Sequence, residues 1–185
     1  GTLREALSLL LSDALVVSEG QRGFHVAPIS LGDLEDITRT RVLLESEALR
    51  QSITTGSDEW EAELVAAFHK LTRTEEKLSR RDDDDLREWE LRNRDFHEAL
   101  ISACESRWLR YLIGLLYRQS ERYRHIALSN TVLARDVHAE HTEIYDAALA
   151  RDTKRAARAI ERHIHLTFDA IRTIMTGERS GSGEP

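Results

Sequence analysis

The stretch LREWELRNRDFHEAL (residues 86–100) decides how this chain folds. One set of its side chains recurs every three or four residues and therefore shares one face of an α-helix. The members of that face are Leu86, Trp89, Asn93, Phe96, His97 and Leu100. Because the inward face of a helix normally holds apolar residues, Asn93 and His97 predict a helical bundle with a polar pocket in its interior.

Two later helices carry a histidine in the same kind of position. His141 lies mid-way along the apolar face of a helix predicted over 132–150, and His163 along that of a helix predicted over 152–176. A single histidine on such a face is usually a core residue with one hydrogen-bonded neighbour, but three would each need a buried partner. A divalent ion such as zinc, nickel, copper or iron would satisfy all three imidazoles together. The spacing leaves a metal site and a metal-free core both open. The metal interpretation has these ligands: Asn93, His97, His141 and His163.

Three further residues are candidates for binding a ligand in the same interior. Arg41 lies on the apolar face of a helix predicted over 31–54. There it either pairs with Glu45 or binds the carboxylate of a ligand through two N–H groups of its guanidinium. Tyr123 and Arg124 lie at the inner edge of a later helix and would line the same cavity. An arginine at such an edge more commonly extends to solvent, and we expect that of Arg124.

The N-terminal residues have a different character. A helix predicted over 2–14 is followed by LVVSEGQRGFHVA (residues 15–27), a pattern that predicts two short strands around a polar turn. A helix followed by such a hairpin predicts the C-terminal part of a winged helix-turn-helix domain, over 1–28. The helical domain then covers 29–176, and the Gly/Ser-rich tail at 177–185 is expected to be disordered.

The composition fits an all-α protein with a local DNA-binding element. Only 2 of the 185 residues are proline, and long stretches without proline or glycine favour helix. The net charge of −7 argues against a nucleic-acid surface over the whole chain. Cys104 is the single cysteine, which fits a reducing cytoplasm, and no apolar run reaches the roughly 18 residues of a membrane span.

Short motifs follow one another along the chain in a specific order: LREAL (3–7), GQRGFHV (20–26), RVLLE (41–45), NRDFH (93–97), AEH (139–141) and RHI (162–164). In their order and spacing the chain resembles the GntR superfamily of bacterial repressors, in the FadR-type subgroup with the FCD effector domain. The segments GTLREALSLL, SDEWEAE and ALARDTKRA are similar in sequence to the carbon-starvation regulators, a branch of that family that controls glutarate and related dicarboxylate catabolism.

This resemblance implies an all-α antiparallel bundle of six to seven helices that forms a homodimer and holds a divalent transition metal, zinc or nickel. The family's metal ligands map onto the four residues named above, but the usual aspartate is Asn93 here. Loss of that negative charge should lower the affinity for metal, and it makes a metal-free pocket more credible.

The resemblance also implies how the N-terminal residues would contact DNA. Thr2 and Arg4 would lie at the start of the recognition helix, and Arg22 and Gly23 at the wing. The first two helices of the family's DNA-binding module are absent before Gly1. We therefore expect the chain as given to bind an operator poorly.

The leading hypothesis is a transcription repressor that binds operator DNA and responds to a small carboxylic acid bound inside the bundle. One alternative is a metal-free ligand-binding or purely dimerising helical domain. Another is a helical-bundle metalloenzyme, but bundles of the di-iron type use Glu-x-x-His pairs, and no histidine here has glutamate three positions before it.

Overall fold

The computed structural model describes residues 1–77, 83–128 and 135–177. Within those residues the chain forms seven α-helices and one two-stranded sheet. In chain order they are α1 (Thr2–Ser12), β1 (Val16–Ser18), β2 (Phe24–Val26), α2 (Leu31–Thr55), α3 (Asp58–Glu75), α4 (Asp83–Leu100), α5 (Arg107–Leu128), α6 (Val137–Leu149) and α7 (Thr153–Thr176). The prediction of an all-α bundle preceded by a helix and a hairpin is confirmed. None of the helices in these ranges is long and apolar enough to cross a membrane.

The N-terminal segment, residues 1–28, is a helix and a hairpin. Strands β1 and β2 pair antiparallel with Val17 opposite His25. A short 3-10 turn, Gly20–Arg22, joins them, and Gly23 adopts a positive φ of 96°, which an L side chain rarely tolerates. The predicted hairpin therefore forms around its glycine-containing turn.

The long helices pack as a bundle around α2 and α7. Helix α2 lies against α5 and α7, α3 against α4, and α6 against α7. Side-chain caps begin four of the helices. Ser30 accepts a hydrogen bond from the Asp33 amide, Ser106 from the Leu109 amide, Asp136 from the Ala139 amide and Asp152 from the Arg155 amide. Polar residues in the loops thus fix where α2, α5, α6 and α7 start.

Several helix ends differ from the prediction. Helix α3 ends at Glu75 and not near 80, because the Lys77 amide bonds back only three residues, to the Thr74 carbonyl. Helix α4 ends at Leu100 and not near 103, because amides 101, 102 and 104 make the same three-residue turn bonds. The predicted start of a helix at 132 and the predicted disordered tail over 178–185 lie outside the described residues.

The bundle buries two apolar clusters. The larger includes Leu49, Leu64, Phe96, Ile144 and Ile160 and joins α2, α3, α4, α6 and α7. The smaller contains Leu34, Ile37, Tyr123 and Ile171, between α2, α5 and α7. Asn93, His97, His141 and His163 are also buried, so polar groups occupy the interior of the bundle.

Candidate metal centre

Three imidazoles from three helices meet inside the bundle. Their ring centroids lie 5.8 Å apart for His97 and His141, 5.2 Å for His97 and His163, and 4.8 Å for His141 and His163. One nitrogen of each ring lies within 4.8 Å of the corresponding nitrogens of the other two, and all three residues are buried. This separation lets a single ion reach all three rings.

Each of these imidazoles has a carboxylate at its Nδ1 nitrogen. The Nδ1–oxygen distances are 3.7 Å for His97–Glu45, 2.8 Å for His141–Glu75 and 2.9 Å for His163–Glu140. A carboxylate at Nδ1 favours the tautomer with its proton on that nitrogen, which leaves Nε2 as the free donor atom. The Nε2 atom of His141 is buried and has no hydrogen-bond partner among the described residues. The carboxylates thus orient the rings in the way that ligands of a metal are usually oriented.

Asn93 lies one turn before His97 on α4 and is also buried. Its amide nitrogen Nδ2 donates a hydrogen bond of 2.6 Å to the Tyr117 hydroxyl of α5. Its oxygen Oδ1 is buried and finds no hydrogen-bond partner in the described part of the chain. The amide therefore has one group held by Tyr117 and one oxygen available to an ion.

Burial favours the neutral form of His97 and His163. It lowers the pKa of His97 to about 4, although Glu45 partly opposes the effect. The pKa of His163 falls well below 6.5 because of burial and the neighbouring imidazoles of His141 and His97. Neutral imidazole is the form that binds a metal, so at neutral pH these residues need lose no proton to do so.

The carboxylates remain charged in spite of their burial. Burial acts to raise the pKa of Glu45, but Arg41 and His97 outweigh it and lower that pKa to about 2. Burial also acts on Glu75, where hydrogen bonds from His141 and His138 lower the pKa. Glu45 and Glu75 thus face His97 and His141 as ionised carboxylates.

Arg41 forms the internal ion pair that was one of its two predicted roles. Its Nε lies 2.6 Å from Glu45 Oε1, and its Nη1 donates to the Ser120 hydroxyl at 2.9 Å. Both residues are buried, and Glu45 in turn faces His97. A ligand carboxylate at Arg41 would therefore compete with Glu45 for this guanidinium.

The expectation that Arg124 extends to solvent is wrong. Arg124 is buried and bonds to both carboxylate oxygens of Glu90, at 3.2 and 3.1 Å, and to the Ser120 hydroxyl at 3.0 Å. Its guanidinium also lies 4.6 Å from the ring centroid of Tyr117. A half-buried acid on α4, Glu90, keeps this arginine inside, and helical periodicity alone cannot reveal that acid.

Tyr123 lies in the smaller apolar cluster. Its hydroxyl donates to Asp33 Oδ2 at 2.6 Å and accepts from the Ser30 amide. This bond directs the hydroxyl to the first turn of α2, about two turns before Arg41. Tyr123 thus anchors the start of α2, and the structure does not bring its hydroxyl into the group formed by Arg41, Ser120 and Arg124.

Sequence reasoning missed three residues around the centre: Glu75, Glu140 and Arg135. Arg135 pairs with Glu140 and donates to the His163 carbonyl at 3.1 Å and to the Thr167 hydroxyl at 2.9 Å. Glu140 adjoins His141 in sequence, yet it bonds to His163 of the next helix. Its position in the sequence therefore does not predict its partner.

The residues predicted to contact DNA lie on the outside of the N-terminal segment. Thr2 and Arg4 are exposed on α1, and Arg22 is exposed at the turn of the hairpin beside Gly23. Helix α5 holds this segment through three bonds. Arg118 pairs with Asp13 at 2.9 Å, Gln119 donates to the Asp13 carbonyl, and Arg122 donates to the Ala27 carbonyl.

Comparison with known proteins gives a consistent result. The FCD domain family matches residues 36–166. BphR of Paraburkholderia xenovorans, named as an uncharacterized HTH-type transcriptional regulator, is 47% identical over 172 residues, which cover 93% of this chain and 70% of that protein. GlaR of Escherichia coli, named as an HTH-type transcriptional repressor, is 37% identical over 186 residues, which cover 96% and 81%.

Solved structures share the fold. McbR/YncC of Escherichia coli superposes with a TM-score of 0.78 at 22% identity, and the match covers 93% of this chain and 79% of the McbR/YncC chain. A GntR family transcriptional regulator from Pseudomonas syringae superposes with a TM-score of 0.67 at 24% identity, over 98% and 73% of the two chains. With its FCD domain and these relatives, the chain belongs to the GntR family of transcriptional regulators, in the FadR-type group.

Proposed function

We propose that this protein represses transcription by binding operator DNA as a homodimer, and that a small carboxylic acid bound at a divalent metal ion in the bundle controls this binding. One observation carries the proposal. The three imidazoles converge in the core with their Nδ1 atoms facing carboxylates, two of them at hydrogen-bond distance, and the Nε2 of His141 has no partner among the residues described. Leaving such a group unsatisfied in a core costs about 1–3 kcal/mol, and an ion would remove that cost.

The donor atoms suit zinc or nickel. Three neutral imidazole nitrogens and one amide oxygen are typical of borderline transition metals, and calcium or magnesium would require more oxygen ligands. When bound, the ion would act as a Lewis acid that anchors a carboxylate oxygen of the ligand. The protein's own residues would hold the rings in place through Glu45, Glu75 and Glu140.

Arg41 is the proposed partner of the ligand's second polar end. Because Arg41 bridges Glu45 of its own helix and Ser120 of α5, a carboxylate that competes for the guanidinium would change the contact between α2 and α5. Ser120 also accepts a hydrogen bond from Arg124, so the change would reach the pair between Arg124 and Glu90.

Helix α5 provides a physical connection to the DNA-binding segment. On its inner side Tyr117 and Ser120 contact Asn93 and Arg41. On the other side, Arg118 and its neighbours bond to the N-terminal segment. A cleft of about 630 Å³, lined by Leu15 of that segment and by α4 and α5, leaves room for relative movement there. Ligand binding would have to favour one arrangement over the other for this connection to regulate DNA binding.

The start of α5 is the proposed contact between two copies. Trp108, Tyr111 and Leu112 are 61%, 54% and 39% exposed on this helix, and the Trp108 and Tyr111 rings pack against each other. Large exposed apolar side chains in a group mark interaction sites, and the family resemblance favours a second copy as the partner. The relatives are named as transcriptional regulators, which favours regulation over catalysis.

The test begins with metal-free protein prepared with a chelator. Zinc or nickel is expected to raise the melting temperature, and elemental analysis is expected to give about one ion per chain. His163→Ala should abolish both effects, whereas His165→Ala, which alters an exposed histidine two residues later on α7, should leave them unchanged. If the wild-type protein binds no transition metal, the metal part of the proposal fails.

The second step is a titration of the metal-loaded protein with small dicarboxylic and hydroxy acids, read by the same melting assay. A further increase in melting temperature is expected for at least one acid, and Arg41→Ala should reduce it. A full panel without effect, with and without metal, would contradict the proposed ligand class.

A further inference from the structure

Asn93 combines a fixed orientation with the absence of charge. Its Nδ2 is held by the Tyr117 hydroxyl at 2.6 Å, and its Oδ1 is buried without a partner among the residues that the structure describes. The amide oxygen is therefore the atom left to face an ion. An amide oxygen coordinates as an aspartate oxygen does, but it brings no negative charge.

The charged groups around the imidazoles nearly balance. Glu75 and Glu140 lie at hydrogen-bond distance from His141 and His163, and Glu45 faces His97 at 3.7 Å. Arg41 pairs with Glu45, and Arg135 pairs with Glu140. Imidazole binds a metal in its uncharged form, so with a metal-ready set of rings three carboxylates against two guanidiniums leave a net charge of −1. The next pair outward, Arg124 and Glu90, adds nothing to this balance.

A divalent ion in this shell would leave an uncompensated charge of +1 in the core. A buried net charge is costly, because the low dielectric of the interior does not screen it. Aspartate at position 93 would remove that charge, whereas the amide does not. The missing negative charge has to come from outside the chain, and a carboxylate on the ion supplies it.

We propose that Asn93 makes metal binding and anion binding interdependent, so that the centre holds a divalent ion tightly only together with a carboxylate ligand. This inference rests on the proposed function, because it requires an ion at the imidazoles. It adds a regulatory consequence. The protein responds to the acid and the metal jointly and not to the metal alone.

The coupling is measured by titrating Zn²⁺ into the metal-free full chain by calorimetry, with and without saturating succinate. Succinamide serves as the uncharged match, and the Zn²⁺ concentration is corrected for the complex that succinate forms in solution. Allosteric couplings between sites typically amount to about 5–150-fold, and succinate is expected to raise Zn²⁺ affinity by about tenfold or more. Succinamide is expected to change it by less than about twofold, because it brings no charge.

Linkage provides an internal check. Zn²⁺ must raise the affinity for succinate by the same factor as succinate raises the affinity for Zn²⁺. This comparison uses only the wild-type protein and therefore does not depend on whether a variant folds.

Two variants and a control separate charge from geometry. Asn93→Asp is expected to bind Zn²⁺ alone more tightly and to reduce the succinate effect to less than about threefold, since the chain then supplies the charge itself. Tyr117→Phe keeps the neutral donor but removes its hydrogen-bond partner, so Zn²⁺ binding should weaken and the succinate effect should persist. Ala66→Glu adds the same charge on the exposed face of α3 and should behave as the wild type.

The outcomes are distinguishable. Equal Zn²⁺ affinity with and without succinate overturns the inference and leaves the metal site standing. An undiminished succinate effect in a folded Asn93→Asp variant also overturns it. No Zn²⁺ binding under any condition overturns the inference together with the proposed metal site.

Discussion

Glu75 should control metal affinity without reaching the ion. Its two carboxylate oxygens accept from His141 Nδ1 at 2.8 Å and from His138 Nδ1 at 2.7 Å. Glu75→Gln keeps the size of the side chain but removes the charge that orients His141 and makes its Nε2 a stronger donor. Loss of such a partner typically reduces metal affinity about 10–100-fold, and we expect this range for zinc. It corresponds to about 1.4–2.8 kcal/mol of binding free energy.

A melting experiment converts this loss into temperature. At a zinc concentration of 100 times the wild-type dissociation constant, binding stabilises the wild-type protein by about 2.7 kcal/mol. The same concentration stabilises a variant with 10–100-fold weaker binding by about 0.4–1.4 kcal/mol. In a chain of 185 residues each kcal/mol moves the melting temperature by about 2–4 °C. Zinc should therefore raise the wild-type melting temperature by about 5–11 °C and that of Glu75→Gln by about 1–6 °C.

His138→Ala is the matched control. It removes the other partner of Glu75, but His138 is 48% exposed and belongs to the outer side of this pair. Its zinc response should stay close to that of the wild type. The reasoning is refuted if Glu75→Gln binds zinc as tightly as the wild type, because the carboxylate at Nδ1 would then have no role in the ligand strength of His141.

Four further outcomes are expected. The metal-free protein should lose stability as the pH falls from about 6.5 to about 4. Burial lowers the pKa of His97 to about 4, so in this window the unfolded chain binds a proton that the folded chain excludes. The urea midpoint should therefore be lower at pH 4 than at pH 6.5. Gly56→Ala should lower the free energy of unfolding by about 1–3 kcal/mol, because its Cβ would overlap the Trp60 ring, and an unchanged urea midpoint would contradict this. Ser120→Ala should leave zinc affinity near the wild-type value but suppress the changes that the ligand causes in hydrogen exchange of the N-terminal segment, because Arg41 and Arg124 lose their shared acceptor. Equal exchange changes in both proteins would argue against α5 as the connection. Trp108→Glu should shift sedimentation toward the monomer, whereas a persistent dimer would place the interface elsewhere.

The helical bundle was predictable because its signal is local. Spacing of three and four residues placed Asn93 and His97 on the inner face of α4, and the structure buries both. Ser30 and Asp152 were predictable as caps for the same reason, since a cap acts within one turn of its own residue. The assignment of Asn93 and His97 to a metal site is a separate matter, and the set of metal ligands stays a prediction.

The partners of the site were not predictable, because they depend on how helices face one another. Glu75 lies at the end of α3 and reaches His141 on α6, a separation of 66 positions along the chain. Arg124 is inside because Glu90 of another helix neutralises it. Periodicity assigns a residue to a face, but it does not say which acid or base will lie opposite.

The arrangement of hydrogen bonds distinguishes a site from an ordinary polar core. In a polar core that serves stability alone, both nitrogens of a buried imidazole find partners, because an unsatisfied one costs about 1–3 kcal/mol. Here a carboxylate lies at the Nδ1 of His141, while its Nε2 and the Oδ1 of Asn93 have no partner within the described ranges. Asn93 lies one turn before His97, whose ring lies 5.8 Å from that of His141, and Tyr117 and Glu75 hold the two side chains in place. Buried side-chain atoms elsewhere in the described ranges also lack a partner, but His141 Nε2 belongs to one of three convergent rings, and an external partner at those rings would satisfy it. Helix α5 offers the route by which that partner would affect the DNA-binding segment.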